Sequence, residues 1–157
     1  MPDTSHTDDR RESPSEKLDR NWNELLQELR ITQTGLQLLS GFLLTLPFTQ
    51  VFAALDHGQK GLYLALVVLA GLAVGLNMMP IVMHRRVFGQ HVKERVVRLG
   101  HVMIQVVIAA IALLIVGMAV LIFSVVVSWW AGVAAGAALA VVLALVLSVI
   151  PQRLAAH

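Results

Sequence analysis

The sequence predicts an all-α, polytopic membrane protein: four transmembrane helices with an N-terminal amphipathic cytoplasmic helix. Three observations carry that prediction. Charge is scarce, long apolar windows recur, and the basic residues gather on alternate connections. Of 157 residues, 57% are hydrophobic and only 14% charged, with a mean hydropathy of +0.73. A water-soluble domain carries roughly a quarter charged residues, so lipid must cover the excess apolar surface.

A helix needs roughly 20 mostly apolar residues to cross about 30 Å of hydrocarbon. Windows of that kind occur at about 36–55, 62–83, 102–123 and 129–150. Unpaired backbone amides are not tolerated in lipid, so each window must be a helix or a strand of a closed barrel. Runs such as ALAVVLALVLSVI lack the alternation of a barrel strand, which leaves helices. The expected organisation is a disordered tail over 1–13, an amphipathic helix over 14–34, a membrane domain over 35–151 and a short C-terminus over 152–157.

The tail is polar, contains Asp8, Asp9, Arg10 and Arg11, and has no apolar core of an export signal. In the amphipathic segment, Ser13, Pro14 and Glu16 read as a capping box with Pro at the first helical position, and Asn21 with Glu24 offers a second start. Leu18, Trp22, Leu25, Leu26 and Leu29 then recur at steps of three and four. Such a helix either lies on the inner leaflet, packs on the central loop, or docks a cytosolic partner.

Lys and Arg flanking the spans set orientation. Eleven of the twelve lie before the first span, between the second and third, or after the fourth: Arg10, Arg11, Lys17, Arg20, Arg30, Arg85, Arg86, Lys93, Arg95, Arg98 and Arg153. Lys60 alone falls on the other side. Both termini and the central loop are therefore expected in the cytoplasm of a bacterium, in its plasma membrane, with Tyr63, Trp129 and Trp130 at the outer interface. The central loop HRRVFGQHVKERVVRLGH carries an apolar stripe through Phe88, Val92, Val96 and Leu99. Its Arg85, Arg86, Lys93, Arg95 and Arg98 suit anionic lipid headgroups, each worth about 1 kcal/mol near such a surface. A phosphate or headgroup site at His84, Arg85 and Arg86 is the functional alternative to simple anchoring.

Small residues recur every four positions at Gly132, Gly136, Ala140 and Ala144, and Gly71 with Gly75 makes a GxxxG. These mark close helix contacts, within the chain or with a second copy, so a homo-oligomer or another membrane partner is expected. The first span is more polar than a passive anchor requires. Glu28, Arg30, Gln33, Thr34 and Gln37 cover its cytoplasmic end, and Gln37, Gly41, Thr45 and Thr49 continue at intervals of four. With Asn77, His84, Arg85, His101 and Gln105 they form a candidate polar vestibule open to the cytoplasm. The plainer reading is that these amides and hydroxyls are interhelical glue.

Other chemistry has little support. No ionisable residue falls inside the four windows, where proton relays place one. His84, His91 and His101 are too far apart along a helix to share a metal, no cysteine is present, and no nucleophile, phosphate loop or carboxylate pair suggests an enzyme. No cofactor is expected, and a net charge of +2 gives no footprint for nucleic acid. Function is then that of a membrane protein of structural, regulatory or accessory type; the alternative is a small ion or solute transporter or channel along the polar stripe.

The stretch ELRITQTGLQLLSGFLLTLPF, with PIVMHR from Pro80 to Arg85 and then Phe88, resembles an actinobacterial family of small four-pass membrane proteins catalogued as a domain of unknown function. The likeness covers roughly residues 22–150. It implies a four-helix membrane fold in the cell envelope, and some members of that family are labelled sodium:proton antiporter.

Overall fold

The computed structural model describes residues 14–87 and 93–155. Five helices account for nearly all of them: α1 (Pro14–Thr45), α2 (Gln50–Ala53), α3 (His57–Val87), α4 (Lys93–Val126) and α5 (Trp129–Ala155), with a 3-10 turn at Leu46–Phe48 after α1. No strand occurs among the described residues. The expected tail over 1–13, residues 88–92 of the central loop and the last two residues lie outside them.

Three helices are long and apolar enough to cross a membrane, over His57–Val82, Val102–Val126 and Trp129–Ser148. The first expected span is not one helix. α1 starts at Pro14 and runs without interruption through the amphipathic segment to Thr45, then stops. The cause is Pro47, which has no N–H to donate to the carbonyl of Leu43 four residues back. A single 3-10 turn and the one-turn α2 carry the chain round to α3.

The buried residues follow one rule on all three inner helices. On α1 they are Leu25, Leu29, Leu36 and Leu43, with Leu39 partly buried; on α3 Tyr63, Leu66, Ala70, Ala73, Asn77 and Pro80; on α4 Gly100, Ile104, Val107, Leu114, Gly117, Leu121 and Ser124, with Ile111 and Met118 partly buried. The steps alternate between three and four, the seven-residue repeat that lets helices wrap left-handedly with side chains interlocking. α1 lies against both α3 and α4, and α5 packs on α4, which is thus the central helix.

Two contacts fix how closely the helices approach. A β-carbon on Gly132 of α5 would sit 2.6 Å from the carbonyl oxygen of Val120 on α4 and 3.0 Å from the backbone nitrogen of Ser124. Only glycine fits there. A β-carbon on Gly100 of α4 would sit 2.8 Å from a methyl of Leu25, so the cytoplasmic half of α1 lies directly on the first turns of α4. Leu25, Leu29 and Ile104 form a separate apolar cluster at that end. With 32 and 34 residues, α1 and α4 are each about 50 Å long, longer than a hydrocarbon core. The amphipathic segment is therefore the near end of a long bundle helix, packed on α4.

At the opposite end the turns are capped by side chains. Asp56 and Gln59 bond each other's backbone N–H groups, at 2.8 Å to Asp56 Oδ1 and 3.0 Å to Gln59 Oε1, a reciprocal cap at the start of α3. Ser128 accepts from the backbone N–H of Ala131 at 3.3 Å and starts α5.

Candidate functional site

The buried polar side chains of the described core are Asn77 and Ser124. Asn77, on α3, is 1% exposed and faces α1. The hydroxyl of Thr32 lies 2.7 Å from its Oδ1, and its Nδ2 donates to the carbonyl of Leu29 at 3.4 Å. Thr32 also lies 3.0 Å from the carbonyl of Leu29 and 3.1 Å from that of Glu28. A hydroxyl has one proton, so the shorter bond to Asn77 competes with a return to its own helix. Three residues beyond Asn77, Pro80 is fully buried and leaves the carbonyl of Leu76 without its helical donor.

A second link works the same way. Tyr63 is 5% exposed, and its hydroxyl donates to the carbonyl of Leu43 at 3.2 Å. That carbonyl is the one Pro47 orphans. The sequence places Tyr63 at the outer interface, but its ring is turned inward, edge-on to Phe52 with centroids 5.0 Å apart. At the same end Gln59 donates to the hydroxyl of Ser124 at 3.4 Å, and Ser124 donates to the carbonyl of Leu121 at 2.8 Å. Trp129 and Trp130 are exposed.

The vestibule residues whose side chains are described do not share one buried site. Of those whose side chains are described, Asn77 is buried, Gln33 is half-buried, and Glu28, Arg30, Thr34, Gln37, Thr45 and Gln105 are exposed. Thr34 and Thr45 donate to the carbonyls of Arg30 and Phe42 on their own helix, at 3.0 and 2.9 Å. Gln37 makes no hydrogen bond among the described residues. The reason is angular: α1 buries the face of Leu25, Leu29, Thr32, Leu36 and Leu43, and the Gln37–Gly41–Thr45 row lies on another side of the helix.

His84, Arg85 and Arg86 fall in the last turn of α3, and Lys93, Arg95, Arg98 and His101 in the first turns of α4. Their backbones gather at the end of the bundle where α1 begins; their side chains lie outside the described residues. The small-residue rows divide. Gly132 and Gly136 lie against Val120 of α4, whereas Gly71 and Gly75 have open space beside them and Ala140 and Ala144 are exposed. Among the described residues no three His, Asp or Glu side chains come close enough to hold a metal.

Thr32 is the residue that sequence reasoning passes over in favour of Gln33 and Thr34. Its signal was present: it occupies the position three after Leu29 and four before Leu36, on the heptad row that packs.

These features define a class: an all-helical bundle with lipid-compatible helices, an aliphatic interior and single hydrogen bonds tying one helix to the next. The chain belongs to DUF6328, a family of unknown function, whose profile matches residues 11–151. No curated protein and no solved structure matches it.

Proposed function

We propose that this is an integral protein of a bacterial plasma membrane, crossing four times with both termini in the cytoplasm. It acts without catalysis, as a structural, regulatory or accessory membrane subunit. The observation that carries this reading is the filled interior. Leu36, Leu43, Val107 and Leu114 are 0–1% exposed at the centre of the bundle, so among the described residues aliphatic side chains fill the interior of a single copy.

The fourth crossing is supported by contacts. Thr32 with Asn77 and Leu43 with Tyr63 hold α1 along α3 from Tyr63 to Asn77, so α1 shares whatever depth α3 occupies. Its polar residues are carried by two apolar neighbours. The basic residues at the ends of α3 and α4 support a cytoplasmic position for that end and contact with anionic headgroups.

Flux measurements separate this reading from transport along the Gln33, Gln37 and Thr45 row. Purified protein in liposomes, assayed with sodium, potassium, protons and chloride, is expected to show no protein-dependent flux. A flux that Gln37→Leu abolishes without unfolding the protein would replace the accessory reading with a transport one.

A further inference from the structure

Gln37 occupies a position that lipid does not satisfy. It lies five residues past Thr32, which meets Asn77, and six short of Leu43, which meets Tyr63. The level midway between Asn77 and Tyr63 on α3 is Ala70, at the middle of the apolar stretch His57–Val82. Gln37 is therefore close to the centre of the hydrocarbon layer. Its side chain is exposed and makes no hydrogen bond among the described residues. Bare polar groups at that depth are avoided because nothing there can pair with them.

We propose that the outer face of α1, centred on Gln37, is the surface through which two copies of this chain associate. A second copy is the occupant the chemistry selects. Copies inserted in the same sense present Gln37 at the same depth, and a two-fold axis along the membrane normal brings each against the other. A carboxamide carries both donors and acceptors, so two of them satisfy one another, as a self-complementary interface requires. Gly41, one turn further on, has nothing within 4 Å, and permits the two helices to approach. Elsewhere the exposed surface at this level is apolar, as at Leu72 of α3 and Val141 of α5, 61% and 59% exposed; lipid covers these without cost.

The proposal rests on the placement of α1 beside α3 in the membrane, and the test separates the two. The full chain has no cysteine, so Gly41→Cys, Leu72→Cys and Val141→Cys are made singly and reconstituted in liposomes with no other protein. Oxidation is expected to give a disulfide-linked dimer with Gly41→Cys and not with the other two. Adding Gln37→Leu to Gly41→Cys should lower the protein-to-lipid tolerance of the dimer by roughly tenfold, while Gln37→Asn retains it and helicity is unchanged in both.

Cross-linking through Leu72→Cys or Val141→Cys instead would overturn the proposal, as would a Gly41→Cys dimer indifferent to Gln37→Leu. So would a chain that stays monomeric at every dilution. Reaction of Gly41→Cys with a membrane-impermeant maleimide would mean that α1 is not at depth, and the four-pass placement falls with the proposal. Protection from that reagent without cross-linking sinks the proposal alone.

Discussion

Thr32 and Asn77 show how unequal two partners of one hydrogen bond can be. Replacing Thr32 with valine keeps the shape of the side chain but strands the Oδ1 of a side chain that is 1% exposed. Leaving a buried acceptor unpaired costs about 1–3 kcal/mol in water-soluble proteins, and interhelical polar contacts in membranes run from about 0.6 to 1.7 kcal/mol. We expect Thr32→Val to destabilise by ~1 kcal/mol, read from reversible unfolding in mixed micelles. Asn77→Leu added to it should recover part of that loss, because the orphaned amide is gone. A double variant weaker by the sum of both losses would contradict this account. Tyr63 makes a companion case. Tyr63→Phe should cost about 1 kcal/mol, and less in a Pro47→Ala background, where the restored N–H of residue 47 can serve the carbonyl of Leu43. Equal costs in both backgrounds would show that Pro47 does not create the need for the hydroxyl.

Among elements, the α4–α5 pair is set by Gly132 and Gly136, and the α1–α4 contact by Gly100 beneath Leu25. At Gly132 the obstacle is backbone, which cannot rotate away. Gly132→Val should therefore destabilise by about 1–3 kcal/mol, in the range of overpacking, whereas Gly71→Val and Gly75→Val, with open space beside them, should leave the unfolding midpoint of the isolated chain within error. A thermal or denaturant series on the three variants decides this. The GxxxG of α3 illustrates a limit of motif reading. Two glycines four apart state that a helix can be approached closely, and the same pattern in α5 is used inside the chain while that of α3 is open.

The whole molecule is a bundle whose charge asymmetry predicts its orientation. Single cysteines at Lys60, His91 and His157, probed on intact cells with an impermeant thiol reagent, should label only at Lys60. Labelling at His91 would place the arginine-rich connection outside and reverse the topology. This expectation comes from sequence, since orientation depends on a count of Lys and Arg near span ends and not on how the helices pack.

The helical class was legible in composition, because a chain this apolar has few other ways to pair its backbone. Windows three and four coincide closely with the apolar stretches of α4 and α5, and the second overlaps that of α3 to within a residue of its end. Hydropathy alone makes the first window one helix, because it does not register that Pro47 removes a donor. The spacing that groups Gln37, Gly41 and Thr45 cannot by itself assign a face of α1 to the core.

What the sequence by itself determined is compatibility with lipid: its scarcity of charge fixes the apolar character of its helices and the number of apolar windows, since these are sums over residues that no arrangement alters. Only the tertiary structure decided which row of α1 is inside. That choice follows from the packing of a seven-residue repeat, which takes in Leu25, Leu29, Thr32, Leu36 and Leu43 together and leaves Gln37 outside, because a helix can turn only one face to its neighbours.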